Sequence, residues 1–316
     1  MHISFVVWLL PFSVLGQATL GSAGDAPRLS FARVDLPTLE LVGKVVDAHT
    51  QGLWVGETYT FATARRDDVA PRRALLLRTR PAAQTTWDVW DITPPQRWPG
   101  RQRFLDHAGG FDSDGERLWI PVAESRRHGK TYIRAYRMDR LKPDALAPVD
   151  SEFFVDDHIG AVAVSKERKL LYGASWDTLD VYVWNFEGGL KQRFAPSALA
   201  ALQLGVAPPP NARRGLAVQD WKIRDDWLIA SGLYKLPAGK VVPPRSRLFL
   251  FQLTKTGLGD AFRSVRQVEL PLQGGTELSR EGMALKGADV YFLPEDFHDA
   301  QRAWRAPLKP LLGPDE

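Results

Sequence analysis

DHAGGFDSDGERLWIPVA, residues 106–123, reads as a single β-hairpin. A Gly-rich approach ends at Phe111, Asp114-Gly115 is a hairpin turn signal, and LWIPVA is a run of strand formers suited to burial on both faces. A related hairpin returns at DHIGAVAVSKERKLLYGAS, residues 157–175, with His158 in the place of His107 and Lys166 to Arg168 in the place of the turn. A supersecondary unit that recurs in this way points to a repeat architecture, in which each unit buries its apolar faces only against its neighbours.

Working outward, five openings align on a small residue followed by a hydrophobic one: HTQGLWV from 49, HAGGFDS from 107, HIGAVAV from 158, ARRGLAV from 212 and SREGMAL from 279. The small residues Gly52, Gly110, Ala161, Gly215 and Gly282 are 58, 51, 54 and 67 residues apart. A second β-rich run follows each opening: TYTFATA (58–64), LWIPVA (118–123), LLYGAS (170–175), WLIASGLY (227–234) and VYFLPE (290–295). The first four units then supply a third strand and a fourth, as in ALLLRTR (74–80) and TTWDVWDI (85–92). Four strands per unit make the blade of a propeller. The last unit runs into a polar tail after its second strand, so its outer strands are expected from RLSFARVDL (28–36) and LELVGKVV (39–46). The expected fold is therefore all-β, a five-bladed β-propeller with four-stranded blades whose last blade is closed by N-terminal strands; six blades is the alternative. Residues 93–103 and 196–210 interrupt the period as Pro-rich insertions, the second with some helical character.

With 44% hydrophobic residues, 11 Trp and 15 Phe, the chain of 316 residues can build a sizeable core. It has no cysteine, which excludes disulfides, thiolate metal sites, a Cys nucleophile and a lipoprotein anchor. The apolar run ISFVVWLLPFSVL (3–15) is too short to span a bilayer comfortably and is followed by Gly21-Ser22-Ala23. Residues 1–23 are expected to be a cleaved signal peptide, leaving 24–316 as one propeller domain, monomeric, secreted or periplasmic, without a membrane span. The net charge is +4 and pairs such as Arg65-Arg66 and Arg126-Arg127 scatter through expected turns, so nucleic acid is not an expected partner. No G-x-S-x-G elbow, P-loop, dinucleotide fingerprint or H-E-x-x-H occurs.

Three of the six histidines, His49, His107 and His158, open consecutive units and should lie at equivalent points around one mouth of the central channel. With Arg214 and Glu281 from the other two units they form the expected ligand-binding set. His107 and His158 are the catalytic candidates, as general base with Glu281 as acid partner. The competing account is that the repeated histidines hydrogen-bond backbone and hold blades together. Side chains alternate along a strand, so Asp106 points away from His107, and neither Asp106-His107 nor Asp157-His158 forms a dyad. His128 is expected in a solvated loop, the tryptophans between blades, and Pro294-Glu295-Asp296 in a plain turn.

The H-x-G-G-F and L-W-x-P-V-A elements within 107–123, D-H-I-G-A at 157–161, and Trp176, Asp177, Tyr182 and Trp184 together resemble an uncharacterised family of secreted propeller proteins, over roughly residues 45–295. The E-G-M-A-L element at Glu281 to Leu285 is also loosely similar to the gluconolactonase, paraoxonase and strictosidine-synthase group. That second resemblance implies a carboxylate at Glu281 offered to a channel metal, usually calcium, with Asn211 as a further candidate ligand. Six blades are usual in that group, and this chain has only two asparagines, Asn185 and Asn211. Three functions follow as expectations: binding of a small ligand or partner at the channel mouth, a metal-assisted lactonase or esterase, and a non-catalytic interaction scaffold.

Overall fold

The structure is a computed structural model that describes residues 30–80, 84–95, 104–194, 214–235, 246–256, 259–297 and 301–312. Five small antiparallel sheets stand in a ring, which makes the chain a five-bladed β-propeller and removes the six-blade alternative. From the axis outward, blade 1 is Ala48–Val55, Thr60–Arg66, Arg73–Thr79 and Asp88–Asp91. Blade 2 has an inner strand broken into Leu105–Ala108 and Asp112–Ser113, followed by Arg117–Glu124, Thr131–Arg137 and Ser151–Val155. Blade 3 is Ile159–Ser165, Leu170–Ser175, Val181–Asn185 and Leu190–Phe194. Blade 4 is Arg214–Arg224, Trp227–Lys235, Ser246–Thr256 and Gly259–Glu269.

Blade 5 corrects the sequence reading in part. Its inner strands are Gly282–Lys286 and Asp289–Leu293, but its third is Gln301–Pro307, from the stretch read as a polar tail, and only Ala32–Leu36 comes from the N-terminus. Two arginines hide the alternation in QRAWRAP, where Ala303 and Ala306 are buried. Residues 39–46 do not join the sheet: Glu40–Leu41 and Lys44–Val45 form a separate hairpin that sets Leu39 and Val46 into the core between blades 5 and 1.

Strand alternation explains why both faces of each blade had to be apolar. Leu118, Ile120 and Val122 pack toward blade 1, whereas Trp119 between them packs toward blade 3. Among the described residues there are five such cores, one between each pair of adjacent blades. Each fully buried Leu, Phe or Val adds roughly 2 kcal/mol, so closure of the ring is driven by inter-blade burial.

At the axis the inner strands touch. Gly110 donates to Gly160 O and accepts from Val162 N, both at 2.9 Å, which joins blades 2 and 3 by a parallel bridge. The buried Asp220 of blade 4 accepts from Leu53 N of blade 1 at 3.1 Å and Met283 N of blade 5 at 3.0 Å, and Lys222 donates to Phe111 O of blade 2. The expected signal peptide, residues 96–103 and the insertion at 196–210 lie outside the described residues. No helix among the described residues is long and apolar enough to cross a membrane.

Candidate ligand site at the mouth of the axis

Three of the inner strands are irregular where they near the axis. Cross-strand register skips Gln51 in blade 1, Gly160 in blade 3 and Gln219 in blade 4. A β-bulge leaves one residue out of the ladder and re-aims it. All three bulged residues line one pocket of about 100 Å³, together with His107, His158, Ser175, Trp176, Asp177, Ala217 and Val218. The structure thus brings His107 and His158 to one cavity, with ring centroids 5.2 Å apart.

His158 is 2% exposed, and its Nδ1 lies 2.6 Å from the Glu124 carbonyl of blade 2. A carbonyl only accepts, so Nδ1 carries the proton, and the same bond holds blades 2 and 3 together. Burial lowers the His158 pKa to about 4, so the ring is neutral at pH 7 with a lone pair on Nε2. His107 is also held neutral by burial, with His158 and Arg65 adding to the effect. Its Nδ1 lies 3.5 Å from Arg65 Nη1, and because a guanidinium only donates, the proton sits on Nε2. Asp106 instead accepts from Ser125 Oγ at 2.8 Å, and Asp157 from Tyr182 Oη at 3.0 Å, so neither forms a dyad with the following histidine.

His49 stands beside this pocket, in a second cluster. Its Nδ1 is 2.7 Å from Asp296 Oδ1, and Asp296 also accepts from Thr50 N at 3.2 Å. Burial would raise the Asp296 carboxyl, but the His49 hydrogen bond and charge outweigh it and hold it below the usual range. Glu281, 4% exposed, lies alongside; burial, and then the charge of Asp296, push its carboxyl well above the ordinary value. Donor atoms of His49, Glu281 and Asp296 lie within 4.8 Å of one another. Calcium takes six to eight oxygen ligands. One imidazole, two carboxylates and the Arg280 guanidinium 3.4 Å from Glu281 do not fit it. Chemically the cluster sets an acid beside a base: Asp296 orients His49, and burial favours the protonated form of Glu281. Asn211 lies outside the described residues, as does the side chain of Arg214, whose backbone begins blade 4.

Sequence reasoning missed four participants. Asp296 is no plain turn residue. Arg65 is not in a solvated loop; it pairs with His49 across blade 1, and its Nε and Nη2 bind Asp67 at 2.7 and 2.9 Å. Gln51 and Gln219 carry no motif. A signal for Gln51 exists all the same, since the aligned openings place it at the position of Glu281. His128 is exposed as expected, its side chain 75% accessible.

The protonation of His158 sets a testable sign. A pKa lowered from 6.5 to about 4 gives stability that is present above pH 6.5 and lost as pH falls through 4, about 3 kcal/mol in all. Asp112 and Asp220, both raised to about 6, act oppositely: their contribution is present below 3.8 and lost as pH rises through 6. The stability difference between wild type and His158→Gln should therefore shift by about 3 kcal/mol between pH 7 and 4 in urea unfolding. A difference independent of pH would mean that His158 is not held neutral.

A ring of five blades with a polar pocket at its axis defines the class as a five-bladed propeller with a candidate ligand site at one mouth. The chain belongs to a family of unknown function, DUF6454, whose model matches residues 101–300. No curated protein matches the sequence. Among solved structures it is similar to a glycosyl hydrolase from Bacteroides ovatus at 10% identity, over 82% of this chain and 84% of that one, with a TM-score of 0.44. It is also similar to the β-propeller domain of the Trilobed protease from Pyrococcus furiosus, at 8% identity, 83% and 85% coverage and a TM-score of 0.38. The WD40 domain of Toxoplasma gondii coronin gives 9% identity, 90% and 88% coverage and a TM-score of 0.38.

Proposed function

We propose that this protein is an exported binding protein whose small polar ligand seats in the pocket between Gln51, His107, His158 and Trp176. The export half of the reading rests on the apolar run at residues 3–15. One observation carries the binding half: Gln51, 4% exposed and lining the pocket, has an amide nitrogen with no hydrogen-bond partner. An unsatisfied buried donor costs about 1–3 kcal/mol, a cost that a ligand oxygen would relieve. A metabolite panel screened by thermal shift should yield a stabilising ligand. Gln51→Leu should weaken that ligand at least tenfold, about 1.4 kcal/mol, with little loss of stability in the free protein. Equal binding by Gln51→Leu and wild type would remove the pocket from consideration. The neighbouring His49, Asp296 and Glu281 are the acid and base a hydrolase would use, so the same variants are worth assaying against ester and glycoside substrates.

A further inference from the structure

Building on that pocket, we infer that its ligand presents neutral hydroxyl groups on neighbouring carbons, as a polyol or the edge of a sugar ring does. The inference comes from the hydrogen-bonding sense of three polar groups on residues that line the cavity. Gln51 Nε2 is a donor without a partner. His107, fixed by Arg65 at Nδ1, offers Nε2–H, a second donor. His158, fixed by the Glu124 carbonyl, offers the lone pair of Nε2, an acceptor. The two rings stand 5.2 Å apart between centroids, and both residues line the cavity.

Only a group that both donates and accepts satisfies all three. A carboxylate or phosphate oxygen suits Gln51 and His107 but sets a negative charge against the His158 lone pair. An ammonium suits His158 but meets two N–H groups. A hydroxyl accepts from one neighbour and donates to the next, and two adjacent hydroxyls cover the set.

The nearby charges are already committed. Arg65 spends Nε and Nη2 on Asp67 and Nη1 on His107 and Ser125, so it is no anion handle. Asp177 is ion-paired with Arg127. Trp176, edge-on to His158 at 4.6 Å, adds aromatic surface for the C–H side of such a molecule. A volume of about 100 Å³ suits a glycerol-sized polyol or the rim of a larger sugar.

Two measurements test this on the full-length protein without its leader. Long-range ¹H–¹⁵N correlation spectra of the histidine rings at neutral pH should show His158 protonated on Nδ1 and His107 on Nε2; the opposite tautomer at either ring overturns the inference. Calorimetric titration with glycerol and methyl β-glucopyranoside, against acetate and methylammonium, should show binding of at least one hydroxylated probe, insensitive to salt and weakened at least tenfold by Gln51→Leu. Preferential binding of acetate or methylammonium would overturn the hydroxyl class while leaving the pocket in place. If no probe binds and none shifts the resonances of His107 or His158, both the class and the pocket fall.

Discussion

Replacing Asp220 with alanine is expected to lower the unfolding free energy by about 4 kcal/mol, the cost of removing one partner of a buried ion pair. Its carboxylate is wholly buried. It accepts from Leu53 N, Met283 N, Trp221 N at 2.9 Å and Lys222 Nζ at 2.7 Å. Those donors belong to blades 1, 4 and 5, and Lys222 reaches on to blade 2 through Phe111 O. Alanine would leave several backbone N–H groups buried without an acceptor and the Lys222 ammonium without its partner carboxylate, in a ring whose total stability is of the order of 5–15 kcal/mol. Asp220→Asn keeps an acceptor and the shape but leaves Lys222 without its counter-charge, so an intermediate loss is expected. Urea unfolding followed by tryptophan fluorescence gives the comparison. A midpoint for Asp220→Ala close to that of wild type would show that the axis is not fastened by this carboxylate.

The second large effect lies at Gly109, where alanine should cost at least about 3 kcal/mol, the upper part of the overpacking range. A Cβ there would stand 2.1 Å from Gly160 O and 2.8 Å from Gly160 C, atoms of backbone that cannot turn aside. Gly160 O is also the acceptor for Gly110 N, so relieving the clash breaks the bridge between blades 2 and 3. Gly160 occupies the equivalent place in its own blade and supplies the control. Its nearest neighbour to an added Cβ is His158 Nε2 at 3.8 Å, an ordinary contact. Gly160→Ala should thus leave stability nearly unchanged while crowding the pocket. Thermal unfolding of the two variants reads the contrast directly. Similar midpoints would contradict the close approach of the two strands.

Much of the fold was legible in the chain because a propeller blade is a local object. Blades 1 to 4 are each three hairpins in sequence, and the alternation in stretches such as LWIPVA and ALLLRTR records burial on both faces. A core strand was illegible in QRAWRAP, because Arg302 and Arg305 flank the buried Ala303 and Ala306 and give the stretch a polar composition. The blade-5 assignment of residues 39–46 erred for a related reason. Leu39 and Val46 are core residues of the ring, yet they enter it from a two-residue hairpin rather than from a ladder strand.

The candidate site divides differently. By itself the sequence determined that His49, His107 and His158 begin equivalent strands, and hence that they gather near one mouth of the ring, because repeat phase fixes position around an axis. It also determined that Glu281 shares that end. Only the tertiary structure decided which partner each group meets: Asp296 on His49, Arg65 on His107, the Glu124 carbonyl on His158. Those contacts link residues 34 to 247 positions apart, and they set tautomer and charge. Protonation depends on burial and on the nearest donor or acceptor, quantities that exist only once the blades have closed.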